Sequence, residues 1–260
     1  QMTIHLLALE TSGRSGSVAL SSCSLQLNEL QDSIRDEAKS DDLLDRMTTH
    51  SIELDPRWGS AKTLAPAIEK LLASHAMTVA DLQAIAVVQG PGSFTGLRVG
   101  IATGKVMAYA LGIPVIAVDT LDVIAKDFFN SRREYSNPID LFVVVDAFRG
   151  QSFWGMYQLR ERRLFPLVPT RIDDNERLAE EIQRRSQDSE TFVVGPSLQK
   201  LKDCCTQPRG VWLECQPQAA VVAELGWQAW LRGEVSDVFG LLPTYYRSSA
   251  AEEKQNTASK

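Results

Sequence analysis

A glycine-rich turn, with the sequence QGPGSFTG at residues 89–96, is the stretch of this chain best suited to binding chemistry. A helix is predicted to follow it, and backbone N–H groups at a helix N-terminus can hold a phosphate. Ser93, Thr95 and Arg98 stand at this point and are candidate anion-binding residues. The turn has neither the P-loop ending Gly-Lys-Ser/Thr nor the pattern GxGxxG, so plain turn chemistry explains it equally well. Arg98 could equally pair with an acid of this chain.

The spacing of the histidines and cysteines does not indicate a metal site. A zincin metallopeptidase needs two histidines four residues apart on one helix, with a glutamate between them. The histidines here are His5, His50 and His75, and each is interpreted as an ordinary surface or core residue. The four cysteines form no CxxC pair, and no histidine lies at zinc-ligand spacing from any of them. This pattern predicts reduced thiols in a cytoplasmic protein. We predict no bound metal, and without a GxSxG turn no catalytic serine either.

Two acidic residues, Glu10 and Asp146, each follow an apolar run and precede a turn. A phosphotransferase needs a carboxylate base, a metal-holding acid and glycine-rich turns around the phosphates and the adenosine. The stretch VGPS at residues 194–197 is a poor adenosine loop, because it has one glycine and a rigid proline. The sequence therefore predicts no catalytic residue and no cofactor, although a module that holds ATP or ADP without turnover stays open.

Composition and charge limit the class of protein. With 44% hydrophobic residues, a chain of 260 residues can bury a substantial core as one large domain or two small ones. The net charge of −6 has the wrong sign for a protein whose own surface holds a phosphate backbone, so we expect no tight direct binding of nucleic acid. No apolar run approaches the length needed to span a bilayer, and no membrane contact is expected.

The elements that must position the glycine-rich turn are two buried strands and the helix between them. Ile85–Val88 is a short apolar run before the turn, and a second apolar run follows the helix. Ser93 or Thr95 can cap the helix, since a hydroxyl there accepts from an otherwise unpaired N–H of the first turn. Gly112 and Pro114 end it.

Small residues recur every fourth position along this helix, at Gly96, Gly100, Gly104 and Ala108, and therefore share one flat face. Each interior glycine costs a helix about 1 kcal/mol relative to alanine. We infer that the missing side chains allow a close approach. The neighbour is either this chain's own sheet, which we favour, or a helix of another protein.

A second helix and two hairpins complete the pattern. Leucine-rich periodicity predicts an amphipathic helix over Thr63–Ser74, with Pro66 in its first turn. Each half of the chain also contains a strand, an acidic residue, a turn and a second strand, around Glu10 and again within Leu141–Tyr157. This repetition suggests an internal duplication.

Four stretches resemble the TsaB family of bacterial proteins, which are needed to make threonylcarbamoyladenosine in tRNA. They are QGPGSFTGLRVGIATGKVMAYALGIPVIAVDTLDVIA, the N-terminal LLALETSGRSGSVAL, the central VVVDAFRGQSFWGMY and the late LLPTYYRSSAAEE, and together they span nearly the whole chain. The family usually has HSE followed closely by LLP. Here an apparent insertion near Leu54–Lys62 separates the corresponding HSIE and LAP.

The resemblance implies an α/β protein with the duplicated actin-like (ribonuclease H-like) fold, in which two lobes each have a mixed sheet flanked by helices. The expected N-terminal lobe is residues 1–118 plus 218–260, and the second lobe is residues 119–217. In this fold the first hairpin supplies a phosphate loop, which adds Glu10, Thr11 and Ser12 to the candidate anion-binding residues. The alternative for this hairpin is a plain edge turn.

The function implied by the resemblance is that of a non-catalytic partner of TsaD in the complex that forms N6-threonylcarbamoyladenosine at position 37 of tRNA. The rivals are a glycoprotease-like metallopeptidase and a nucleotide-binding phosphotransferase. The implied partners are TsaD in a heterodimer, a second copy in a homodimer when TsaD is absent, and the ATPase TsaE. In the family the partner surface is built from the two helices described above, and the candidates here are Leu64, Ile68, Leu71, Leu72, Leu97, Gly100, Ile101, Gly104 and Ala108.

Overall fold

A computed structural model describes the chain at residues 2–25, 43–132, 137–244 and 246. Its first half contains β1 (Met2–Glu10), β2 (Ser17–Leu25), β3 (Thr48–Glu53), α1 (Ser60–Ala73), β4 (Ala84–Gly90), α2 (Phe94–Leu111), β5 (Val115–Asp119) and α3 (Thr120–Ser131). There follow β6 (Ile139–Asp146), β7 (Gln151–Arg160), β8 (Arg163–Asp174), α4 (Asn175–Arg185), β9 (Glu190–Gly195), α5 (Gln199–Lys202), β10 (Val211–Glu214) and α6 (Ala219–Leu231). Within these ranges no helix is both long and apolar enough to cross a membrane.

The first sheet has the strand order β3-β2-β1-β4-β5. β1 pairs antiparallel with β2 and parallel with β4, and β4 pairs parallel with β5. The central strands are apolar along nearly their whole length because helices cover both faces of the sheet. Leu6 and Ala8 of β1 belong to the core that contains Trp227 of α6, whereas Leu7 and Leu9 belong to the core beneath α1 and α2.

The second sheet has the strand order β10-β9-β6-β7-β8. β6 and β8 both pair antiparallel with β7, and β9 pairs parallel with β6 and β10. Followed from β8, two antiparallel pairs and then two parallel pairs repeat the arrangement of the first sheet. Phe142, Trp154 and Ile182 of α4 pack in its core. The repeated topology confirms the predicted duplicated α/β fold with a mixed sheet in each half.

The chain divides into two units, residues 1–130 with 216–243 and residues 131–215 with 244–260. The lobe boundaries expected from the sequence differ from this division at α3. Val123 of α3 is buried in the core of the first sheet. Lys126 and Asn130 both bind Glu224 of α6, at 2.9 and 2.7 Å. A boundary after residue 118 would separate α3 from the sheet that it covers. Residues 247–260 of the expected N-terminal lobe lie outside the described ranges.

Both predicted ends of α2 are confirmed. Ser93 Oγ accepts a hydrogen bond from Gly96 N at 3.2 Å, and Gly112 ends the helix with a left-handed backbone conformation. The predicted start of α1 is wrong, because the helix begins at Ser60, and Pro66 therefore lies inside it and not in its first turn.

The apparent insertion connects β3 to α1. Leu54 is buried, and its N–H donates to Gly16 O at 2.8 Å, so the segment is fixed to the sheet at its first residue. Further along, Trp58 is 55% exposed, and Lys62 Nζ lies 4.9 Å from the centre of its ring. The last residues of the insertion thus form the start of α1, and the segment before them exposes a tryptophan.

Candidate functional site

Glu10 ends β1 and is fully buried, as is the adjacent Thr11. The N–H and the hydroxyl of Ser12 both donate to Glu10 Oε1, at 2.6 and 2.5 Å. Desolvation by burial raises the pKa of Glu10 to about 7, although hydrogen bonds from Ser12 and Gly13 lower it. Glu10 Oε2 and Thr11 Oγ1 have no hydrogen-bond partner in the described part of the chain. The carboxyl group is thus enclosed by protein and changes its charge near neutral pH.

The glycine stripe of α2 packs directly on this loop and on the sheet. A Cβ atom at Gly96 or at Gly100 would overlap Thr11. One turn further along the helix, a Cβ atom at Gly104 would lie 2.5 Å from Val87 Cγ1 of β4. The favoured prediction that the flat face meets this chain's own sheet is therefore confirmed.

The six candidate anion-binding residues fall into two groups. Glu10 and the two residues after it form the buried loop described above, and Ser93 N donates to Ser12 O at 2.7 Å, which joins the glycine-rich turn to this loop. Thr95 is exposed, and the Arg98 guanidinium lies 3.7 Å from the centre of the Phe94 ring. Anion binding by these residues stays a prediction.

The nine candidate partner-binding residues are all buried within the first unit. Those on α1 pack in the core between these helices and the sheet, together with Ile101 and Ala108 of α2, whereas Leu97 belongs to the core that contains Trp227. The helical periodicity therefore identified the inner faces of both helices, and the surface of each helix is formed by other residues. That these helices bind a partner stays a prediction. The buried residues are Leu64, Ile68, Leu71, Leu72, Leu97, Gly100, Ile101, Gly104 and Ala108.

The outer face of α2 carries a group of exposed apolar side chains, which we call the outer α2 patch: Val106, Tyr109 and Phe239. They are 67%, 68% and 74% exposed, and the Tyr109 and Phe239 rings meet edge to face with centres 5.5 Å apart. Lys105 Nζ donates to the carbonyl oxygens of Phe239 and Leu241, at 3.0 and 2.9 Å, and so holds this segment against α2. Exposed apolar patches mark interaction sites. This patch was not predicted from the sequence, although Val106 and Tyr109 are three residues apart on the face without glycines.

The second acidic residue, Asp146, is also engaged in bonding within the chain. Phe148 N donates to Asp146 Oδ1 at 2.8 Å, and Lys200 Nζ donates to Asp146 Oδ2 at 2.7 Å. Glu10 likewise accepts from the N–H two residues later, at Ser12. The two acids therefore close equivalent turns in the two halves, which agrees with the duplication.

The described residues contain no group of three or more His, Cys, Asp or Glu side chains that could hold a metal ion. His5 is half-buried, and its Nδ1 lies 2.7 Å from Ser22 Oγ. Burial lowers the pKa of His5, although Asp81 raises it. The rings of His50 and His75 lie in contact, with centres 4.4 Å apart. The interpretation of each histidine as an ordinary surface or core residue stays a prediction.

Comparisons with known proteins point to proteins of threonylcarbamoyladenosine biosynthesis. Residues 59–206 match the family model for TsaD, tRNA N6-adenosine threonylcarbamoyltransferase. A Bacillus subtilis protein named tRNA threonylcarbamoyladenosine biosynthesis protein TsaB is 33% identical over 73% of this chain and 80% of its own length. Its Escherichia coli namesake is 27% identical over 78% of this chain and 86% of its own length.

A solved structure supports the same relationship. The structure of YeaZ from Pseudomonas aeruginosa superposes with a TM-score of 0.69 and 26% identity, over 93% of this chain and 99% of that chain. The likeness extends to nearly the complete duplicated fold. From the identity to the Bacillus subtilis protein, and from its coverage of both sequences, this chain belongs to the TsaB family.

Proposed function

We propose that this chain is a non-catalytic subunit of the assembly that makes threonylcarbamoyladenosine in tRNA, and that it acts by binding TsaD. The names of its TsaB relatives support a role in the biosynthesis of threonylcarbamoyladenosine in tRNA. The observation that carries the proposal is the outer α2 patch, because it exposes large apolar side chains on one of the two helices that the family uses for its partner. The assembly would then act on N6 of adenosine 37, with the chemistry performed by TsaD.

The non-catalytic part of the proposal is supported by the state of the two acids. A general base must reach the proton that it removes, but Glu10 is fully buried and accepts its hydrogen bonds from Ser12. Asp146 forms an ion pair with Lys200 and accepts from a backbone N–H. Each carboxylate therefore has a structural role that accounts for its position.

The binding part of the proposal has a simple energetic basis. Apolar surface gains roughly 25 cal/mol for each Å² that is removed from water, and aromatic residues dominate the energetics of many interfaces. Tyr109 and Phe239 are already in ring contact, and the Lys105 hydrogen bonds hold the second ring in place. Less side-chain freedom is lost on binding when such groups are ordered beforehand.

The same surface would serve two partners in turn. A second copy of this chain would cover the patch when TsaD is absent, since an isologous dimer uses one surface on both subunits. TsaD would then compete with homodimerisation. The ATPase TsaE would be a further member of the same assembly.

Arginine substitutions in the outer α2 patch test the proposal. In Val106→Arg and in Tyr109→Arg a charge would lose hydration at the interface without gaining a partner. We expect each variant to bind TsaD at least tenfold more weakly in isothermal titration calorimetry, and to homodimerise more weakly in sedimentation velocity. The melting temperature should not change, because both positions are exposed.

A matched control distinguishes a local effect from a general effect of added charge. Leu167 is exposed on β8 of the second unit, and Leu167→Arg should bind TsaD as the native chain does. Native affinity in both patch variants would show that TsaD binds elsewhere on the chain or does not bind it.

A further inference from the structure

Two histidines from separate elements of the first unit lie in contact, and the proposed function uses neither. His50 is on the edge strand β3, and His75 lies just beyond the end of α1. Their ring centres are 4.4 Å apart and their planes are inclined at 46°. The two rings are therefore tilted and are not stacked in parallel.

The sheet explains why these two residues meet. Alternate residues of a strand point to the same face, so His50, Ile52 and Leu54 form one row along β3 and the residue after it. Ile52 and Leu54 pack in the core beneath α1. His50 continues this row toward the end of α1, where His75 lies. The position of the pair therefore follows from the register of β3 and from the length of α1.

Nδ1 of His75 has two neighbours, since it lies 2.9 Å from Leu71 O and 3.1 Å from Ser74 Oγ. A carbonyl oxygen can only accept. In the tautomer that donates to Leu71 O, Nδ1 carries the proton and Nε2 keeps its lone pair in the neutral ring. A backbone carbonyl that orients an imidazole in this way is typical of metal-binding histidines. His50 is exposed on the strand, so the pair can be reached from solvent.

We propose that His50 and His75 together bind one divalent transition-metal ion, with Zn²⁺, Ni²⁺ and Cu²⁺ as the class that imidazole ligands favour. Two imidazoles that bind one ion at about 2.0–2.1 Å have ring centres roughly 4.5 Å apart when they are neighbours in a square-planar site, as for Cu²⁺ or Ni²⁺, and roughly 5 Å apart in a tetrahedral zinc site. The observed 4.4 Å needs only a small adjustment to reach this range.

The site has two protein ligands and leaves the remaining positions of the ion to water or to a group from outside the chain. The described residues offer no third His, Cys, Asp or Glu at this place. Binding is therefore weaker than at a four-ligand structural zinc site and depends on metal concentration. The ion would join β3 to the end of α1, and a ligand that binds only the folded state raises its stability.

The test uses the full chain without a histidine tag, titrated with ZnCl₂ and separately with CuCl₂ in a calorimeter. We expect one equivalent of metal to bind the native chain, with affinity at least tenfold lower in His50→Gln and in His75→Gln. The third histidine provides the matched control, because His5 lies on β1 and contacts Ser22. His5→Gln should bind the metal as the native chain does. Zn²⁺ should raise the melting temperature of the native chain and of His5→Gln, but not that of His50→Gln or His75→Gln.

A second measurement needs no variant. In ¹H–¹⁵N spectra of the imidazole rings, Zn²⁺ should shift the signals of two histidines and leave those of the third unchanged. The proposal is overturned if the native chain binds no metal saturably, if His5→Gln weakens binding as much as the other two variants, or if all three rings respond alike.

Discussion

Glu10 accepts both hydrogen bonds from Ser12 on one carboxylate oxygen, while the other oxygen has no partner among the described residues. An ionised carboxylate in such a place is poorly solvated, and the pKa near 7 records that cost. The folded chain therefore binds a proton here at pH values where the unfolded chain has released it. Folding stability should fall as pH rises from about 4.5 to 7 and then stay at the lower value.

Glu10→Gln removes this dependence on pH while it keeps the size and shape of the side chain. Above pH 7 the variant should be more stable than the native chain, by about 3 kcal/mol at most, and the difference should shrink toward pH 5. Urea denaturation of both proteins at pH 5, 6, 7 and 8 measures it. The exposed carboxylate of Glu69 on α1 provides the control, since Glu69→Gln should follow the native curve. A difference between Glu10→Gln and the native chain that stays constant with pH would contradict this account.

Residue types and short-range spacing predicted some of these local features and not others. The serine cap and the glycine end of α2 depend on neighbouring residues, and both were predictable. The contact between His50 and His75 was not, because it depends on which face of β3 meets the end of α1. The raised pKa of Glu10 required knowledge of burial, which the sequence gives only indirectly.

Three strands that were not predicted from the sequence, β3, β8 and β10, lie at sheet edges. β3 is polar, β8 contains Pro166 and Pro169, and β10 has only four residues. Edge strands need no apolar run and tolerate proline, because one side of the backbone has no neighbouring strand. The central strands were predictable for the opposite reason, since burial on both faces requires continuous apolar sequence.

The assignment of α1 and α2 to a partner surface shows a second limit of periodicity. A helix face buried against its own sheet and a face buried against a partner have the same apolar repeat. Leu64 and Leu71 of α1 satisfy the first alternative. The outer α2 patch can be identified only from the structure, because the structure shows which face of α2 is buried.

Gly100→Leu tests the packing of α2. The added side chain would overlap Thr11, which follows β1 directly. We expect this overlap to lower the free energy of unfolding by roughly 1–3 kcal/mol. The matched control is Ala102→Leu on the exposed side of the same helix, which should leave stability nearly unchanged. Urea denaturation measures both. Native stability in Gly100→Leu, together with weaker association, would place the glycine stripe in an intermolecular interface.

At the scale of the molecule, the net charge of −6 and the structural use of both acids agree with the proposed role of a non-catalytic subunit. An acidic surface is poorly suited to hold tRNA by its phosphates. On this proposal, contact with the substrate falls to TsaD.

The purified chain should accordingly hydrolyse neither ATP nor glycoproteins at a rate above background. Phosphate release and gel analysis of a glycoprotein substrate check the two reactions. Turnover that disappears in both Glu10→Ala and Asp146→Ala would contradict the non-catalytic assignment. Turnover that survives both substitutions and further purification would contradict it as well, by placing the activity at another site on this chain.

The return of α6 to the first sheet has a consequence for synthesis on the ribosome. Trp227 donates to Ser21 and Ala219 N donates to Ser17, so the layer over β1 and β2 comes from near the other end of the chain. A nascent chain therefore has every strand of the second sheet before it has α6, so the first sheet receives this helix only after all strands of both sheets have been synthesised. Until then the α6 side of the first sheet is an uncovered apolar face, which is the kind of surface that chaperones bind.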